Sequence, residues 1–152
     1  MKNATKMIIQ GDVQLFFNNY HSYHALSGVI IEGNKIGRTL GFPTANILPG
    51  NGSIIPKEGV YAVFVAVDGK IIKGMLNIGV RPTFDLNEVT IEVHLLDFSE
   101  TIYNRQVTVY FVDRIRDEIK FETKELLIEQ LSSDRNRISN LLDKSPLPNC
   151  GE

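Results

Sequence analysis

Residues 59–75 decide the fold: Gly59-Val60-Tyr61-Ala62-Val63-Phe64-Val65-Ala66-Val67, then Asp68-Gly69, then Lys70-Ile71-Ile72-Lys73-Gly74-Met75. The first segment is a nearly continuous apolar run rich in β-branched residues, the composition of a strand. An Asp-Gly pair between two such runs is a strong signal for a two-residue hairpin. Working outward, Val89–Leu96 alternates, with Val89, Ile91, Val93 and Leu95 on one face and Thr90, Glu92 and His94 on the other. Val107–Val112 reads as a further strand, and Ser27–Glu32 as an earlier one. Five or six strands joined by turns, all ahead of any long helix, predict a small antiparallel barrel.

The flanks read differently. Residues 47–58 contain Pro49, Gly50, Gly52 and Pro56 and predict an irregular connection. Asp12 is a candidate N-cap for a short helix within residues 7–20. Thr123 is the corresponding cap for a C-terminal helix. Leu127, Leu131, Ile138 and Leu142 recur there near helical spacing among Glu, Lys, Asp and Arg, so an amphipathic helix should lie over one end or side of the barrel. Residues 143–152, with two prolines and a glycine, predict a frayed tail.

A chain of 152 residues, 43% apolar, is about one domain's worth and long enough to bury a core. Its formal net charge of −2 favours neither nucleic acid nor an anionic membrane surface. No apolar run approaches membrane-spanning length, and Met1–Gln10 lacks the pattern of a signal peptide. Cys150 is the sole cysteine, so no internal disulfide forms. A cytoplasmic protein is expected.

Gly37-Arg38-Thr39-Leu40-Gly41-Phe42-Pro43-Thr44-Ala45-Asn46 concentrates chemistry in ten residues. Glycine permits close backbone approach, arginine pairs with phosphate, and Thr44 and Asn46 offer neutral oxygens on one face of an extended chain. The group suits a phosphate chain and a hard cation. Glu92 stands in a β-branched strand, either on a solvated face or in a polar pocket at the barrel mouth. In a pocket it could accept a proton from a substrate hydroxyl. His94 shares its face and is a possible partner, whereas His21 and His24 read as surface residues. Asn77–Phe84 reads as a second Gly- and Pro-containing loop. Arg114, Arg116 and Lys120, interspersed with Asp117 and Glu118, read as either a solvated charged loop or a flap over a ligand. P-loop, Cys-x-x-Cys, zinc-site and nucleophile-elbow patterns are all absent.

Five strings coincide in order and spacing with one family: residues 37–46, Gly59–Val63, Asn77–Phe84, Glu92–Phe98 and Ile115–Phe121. Together they resemble riboflavin kinase, and more closely the kinase module of the bacterial bifunctional riboflavin kinase/FAD synthetase, over roughly residues 24–142. The resemblance implies a six-stranded antiparallel Greek-key barrel with a C-terminal helix. It implies transfer of the ATP γ-phosphate to the riboflavin 5′-hydroxyl, giving FMN and ADP. Glu92 then becomes the catalytic base. Thr44 and Asn46 bind the Mg²⁺ of Mg-ATP, and Gly33, Gly37, Arg38 and Tyr103 contact the nucleotide. Arg116 and Glu118 belong to a flap on the flavin side.

One departure is Asn104, where the family usually has glycine after the tyrosine; asparagine tolerates the left-handed conformation. Another is the lack of a His-x-Gly-His adenylyltransferase motif, so no FAD synthesis is expected. Residues 1–23 look like the connector between two modules. The chain then reads as a stand-alone kinase, an excised module or a descendant of a two-module enzyme that lost its other half, monomeric, with small-molecule substrates and no nucleic-acid or membrane partner. The alternatives are a non-catalytic flavin-binding regulator and an oligonucleotide-binding barrel.

Overall fold

The computed structural model describes residues 3–34, 41–82, 84–100 and 102–149. Six strands form a closed antiparallel barrel: β1 (His24–Asn34), β2 (Thr44–Pro49), β3 (Gly59–Val67), β4 (Lys70–Pro82), β5 (Asn87–Leu95) and β6 (Gln106–Arg116). The order around the barrel is β1-β2-β5-β4-β3-β6. Strands β3, β4 and β5 form a meander, while the β2–β3 and β5–β6 connections cross between non-adjacent strands, as a Greek key requires.

The 59–75 reading holds. Val67 pairs with Lys70 across the Asp68-Gly69 turn. Both turn residues take positive φ, 52° and 78°, as a tight hairpin turn of this hand demands. The structure also explains why β3 is apolar throughout rather than alternating. Tyr61, Val63 and Val65 point into the barrel, while Val60, Ala62 and Phe64 point outward beneath the C-terminal helix. A strand covered on both faces carries apolar residues at every position.

Several boundaries differ from expectation. Asn77–Pro82 is not a loop: β4 continues through it, pairing with β5 from Gly74–Leu95 to Pro82–Asn87. Likewise β6 runs to Arg116, so Arg114 and Arg116 are strand residues. β2 already begins at Thr44, leaving the irregular connection to residues 50–58.

Two helices precede the barrel, α1 (Ala4–Ile9) and α2 (Val13–Tyr20), of which only the second was foreseen. Asp12 precedes α2 but makes no side-chain capping hydrogen bond. Ile8 and Val13 are buried within the same cluster as the barrel interior. The turn between the helices needs glycine at position 11, where φ is +81° and a Cβ would stand 2.9 Å from Arg114 Cδ. The C-terminal helix, α3 (Lys124–Asp143), starts at Thr123 as expected, with the Thr123 hydroxyl accepting from the Leu126 N–H at 3.2 Å. Ile138 and Leu142 are fully buried against the outer wall of the barrel, together with Val112 and Ile115. Beyond α3, Tyr23 OH donates to the Pro146 carbonyl at 2.6 Å. No helix among the described residues is long and apolar enough to cross a membrane.

Candidate active site

Strand pairing sets the site. Glu92 on β5 lies between Asn46 on β2 and Asn77 on β4, so three polar side chains form one row across three adjacent strands. Their neighbours Ile91 and Val93 point into the barrel, which turns the row to the outer wall. The polar pocket is therefore not at the barrel mouth. It lies between the outer wall, the start of α3 and the segment 117–121 that leads into α3.

This cavity measures about 210 Å³. The wall supplies Phe42, Thr44, Val60, Met75, Asn77, Glu92, His94 and Arg116; the opposite side supplies Glu118, Ile119, Phe121, Leu127 and Leu131. Five residues that the sequence marks thus meet here: Thr44, Glu92, His94, Arg116 and Glu118. Asn46 joins them through its pairing with Glu92. Tyr103 does not line this cavity and stands 39% exposed in the turn before β6, beside Asn104, which takes the left-handed φ of 65°. Gly33 pairs with Ala45 in β1, just past an irregularity in the ladder. Gly37 and Arg38 lie outside the described residues.

Two buried oxygens in this region lack hydrogen-bond partners, Thr44 Oγ1 and Asn46 Oδ1. An orphaned buried polar atom costs about 1–3 kcal/mol, so two close together on one strand mark a place built for something else. Neutral oxygens fit a hard cation that brings most of its own ligands. Among the described residues no cluster of three or more His, Cys, Asp or Glu could hold a metal. Any Mg²⁺ here must be completed by water and substrate phosphates, which is how Mg²⁺ usually binds.

His94 is buried, and its Nδ1 donates to the Pro43 carbonyl at 2.7 Å. That bond makes Nε2 the acceptor nitrogen of the neutral ring. Burial depresses its pKa, reinforced by the nearby Arg135 charge and opposed by the Pro43 bond. Phe42 meets the His94 ring edge-on at 5.4 Å and carries the Arg135 guanidinium over its face at 5.0 Å. His24, in contrast to expectation, is no surface residue. It is half-buried beside the Phe16 and Phe111 rings, and its Nε2 donates to the Ile54 carbonyl at 2.8 Å.

The charged cluster before α3 divides in two. Arg114 does not line the cavity; its Nη2 donates to the Glu58 carbonyl at 2.5 Å and pairs with Asp117 at 2.8 Å. Arg116 lines the cavity, and Asp134 of α3 anchors it through Nε and Nη2, each at 2.8 Å. The Glu118 carboxylate rests over Gly79, where an added Cβ would stand 3.1 Å from Oε1.

Three residues escaped the sequence reading. Asn77 falls in a segment that reads as a loop, and no role in the site is assigned to Phe42 within the string 37–46. Asp134 had a visible signal, since it occupies the gap between Leu131 and Ile138 in the apolar stripe of α3.

Comparisons with known proteins bear on the family and the fold. The family model described as Flavokinase, riboflavin kinase, matches residues 20–142. The bifunctional riboflavin kinase/FMN adenylyltransferase of Bacillus subtilis is 40% identical over 128 residues, covering 82% of this chain and 40% of that protein. Its counterpart in Haemophilus influenzae is 44% identical over 124 residues, with 81% and 40% covered. The chain therefore spans about two fifths of the length of these relatives. Among solved structures, a macrolide-efflux protein from Streptococcus pneumoniae superposes with a TM-score of 0.86 at 34% identity, over 90% of this chain and 45% of that one. Riboflavin kinase from Trypanosoma brucei superposes at 0.56 with 24% identity, over 79% and 77% of the two chains, and supports the fold.

Proposed function

This chain belongs to the riboflavin kinase family, and on that premise we propose that it transfers the γ-phosphate of ATP to the 5′-hydroxyl of riboflavin, giving FMN and ADP. The observation that carries the reading is the Asn46–Glu92–Asn77 row beside the cavity, with the unpartnered oxygens of Thr44 and Asn46 next to it.

In this reading Glu92 accepts the proton of the ribityl hydroxyl as its oxygen attacks the γ-phosphorus, and ADP departs from the opposite side. Thr44 and Asn46 would hold a divalent cation with the nucleotide phosphates. When bound, such a cation offsets phosphate charge and aligns the γ-phosphoryl group. The apolar wall of Val60, Met75, Phe121 and Leu127 suits a flat heterocycle. In the same reading Arg116 and Glu118 would contact the flavin, and Gly33, Gly37 and Arg38 the nucleotide. Tyr103 would contact the nucleotide from outside the cavity lining. Such chemistry depends on alignment and electrostatics rather than a covalent intermediate.

The test is an incubation with riboflavin and ATP, with and without Mg²⁺, followed by chromatography. Equal amounts of FMN and ADP, formed only with the cation, are expected, and no FAD. Tight flavin binding without FMN would identify a non-catalytic flavin-binding protein instead.

A further inference from the structure

Asp134 is the only buried carboxylate among the described residues, 3% exposed, and it sits on α3 rather than on the barrel. Two hydrogen bonds and an ion-pair contact fix it. Arg116 Nε and Nη2 both reach Oδ2 at 2.8 Å, and Gln130, one helical turn away, donates Nε2 to Oδ1 at 2.8 Å. Arg116 in turn donates Nη1 to the Asp117 carbonyl at 3.0 Å and lies over the Phe121 ring at 5.9 Å. Arg116 and Phe121 both line the cavity; Asp134 and Gln130 do not.

Two consequences follow from these contacts. The guanidinium has its charge matched by a buried partner, so it presents the cavity with a neutralised planar group rather than a bare cation seeking phosphate. Arg116 also holds segment 117–121 at two points, by its hydrogen bond to the Asp117 carbonyl and by its cation–π contact with the Phe121 ring. A buried ion pair adds little stability over an apolar pair of similar volume, so stability alone does not account for this one.

Resting on the riboflavin kinase reading, we infer that Asp134 is a positioning residue for the flavin. Through Arg116 it sets the wall formed by residues 117–121 at the spacing the ring system needs. It acts on the acceptor substrate and leaves the nucleotide side, at Thr44 and Asn46, untouched.

The experiment measures KM for riboflavin and for Mg-ATP, kcat and the denaturation midpoint in three proteins: wild type, Asp134→Asn, and the paired variant Asp134→Leu with Arg116→Met. Wild-type FMN formation controls for the underlying reading; its absence would defeat that reading rather than this one. Asp134→Asn should raise KM for riboflavin by about tenfold to a hundredfold, the scale expected for a displaced substrate-positioning group, with KM for ATP unchanged. The paired variant should recover the denaturation midpoint and still bind riboflavin weakly, as read by quenching of flavin fluorescence. If Asp134→Asn fails to fold, a fourth protein, Asp134→Glu, carries the test: it keeps Arg116 and the charge but displaces the carboxylate by one methylene, so riboflavin KM should rise with ATP KM unchanged, and an unchanged riboflavin KM overturns the inference. An unchanged riboflavin KM in a folded variant would overturn the inference. So would a loss confined to kcat that tracks the folded fraction, because that is what a merely structural role gives.

Discussion

The barrel has two apolar layers, and they differ in what they tolerate. The interior, built on residues such as Tyr61, Val63, Leu76, Val93 and Phe111, excludes polar side chains almost completely. Its one phenol, Tyr61, donates its hydroxyl to the Lys57 carbonyl, and burial pushes its pKa up to about 12. The outer layer, between the wall and α3, has an equally apolar centre in Val60, Phe64, Ile138 and Leu142. Toward the start of α3, however, it holds a buried histidine, a buried aspartate and a cavity, with the two orphaned oxygens of β2 beside it. The interior is organised for stability. The outer layer gives up some stability at one end to keep polar atoms available, as functional sites commonly do.

Substitutions on the two faces of the same wall should therefore separate activity from stability. Glu92→Gln should lower turnover by about 10²–10⁴-fold with Mg-ATP binding and the melting temperature retained; an undiminished kcat would remove Glu92 from the mechanism. One layer inward, Phe111→Ala should cost about 3–5 kcal/mol of stability by leaving a cavity around Tyr61. Denaturant titration measures that loss, and the fraction still folded should keep its wild-type KM values. Thr44→Val sharpens the contrast. Removing an unpartnered buried hydroxyl should leave stability unchanged or raise it by about 1 kcal/mol, while the Mg²⁺ concentration needed for half-maximal rate increases. A stability loss with normal Mg²⁺ dependence would place that hydroxyl among ordinary structural groups.

The smallest effect is on pH dependence. Burial holds the His94 pKa below the usual value near 6.5, so the unfolded chain binds a proton more readily than the folded one as pH falls through that value. Stability contributed by the neutral ring is then present above about pH 6.5 and lost below it. His24 is depressed in the same direction by its own burial. His94→Asn, whose amide can still donate to the Pro43 carbonyl, should flatten the acid-side loss without abolishing it. The change should stay well under about 1.4 kcal/mol per pH unit, the ceiling for one proton. Denaturation midpoints measured on both sides of pH 6.5 check this, and identical slopes for the two proteins would contradict it.

What was legible in the sequence depended on how local the cause was. The β3–β4 hairpin is written in two adjacent residues, Asp68 and Gly69, and the start of α3 in Thr123. The alternation of β5 correctly put Glu92 and His94 on one face. It could not say which side of the barrel that face would be, because that depends on where α3 docks, more than 30 residues later in the chain. The extension of β4 through Gly79 and Pro82 was hidden for a similar reason. Those residues look like a loop locally, and pairing with β5 holds them extended. Arg114 and Arg116 looked alike as charges in a row; only packing separates an arginine tied to Glu58 and Asp117 from one aimed along the cavity by Asp134.

If phosphoryl transfer takes place on the outer wall beneath α3, along the row through Glu92, ligands must perturb that wall before any other part of the barrel. Amide chemical shifts of the ¹⁵N-labelled chain, followed on adding Mg-ADP and FMN together, test it most directly. The large changes should concentrate at Thr44–Asn46, Asn77, Glu92–His94 and residues 116–121, with the inward-facing positions of β3 nearly still. Large shifts centred instead on the turn at Tyr103, with Glu92 and its neighbours unmoved, would contradict it.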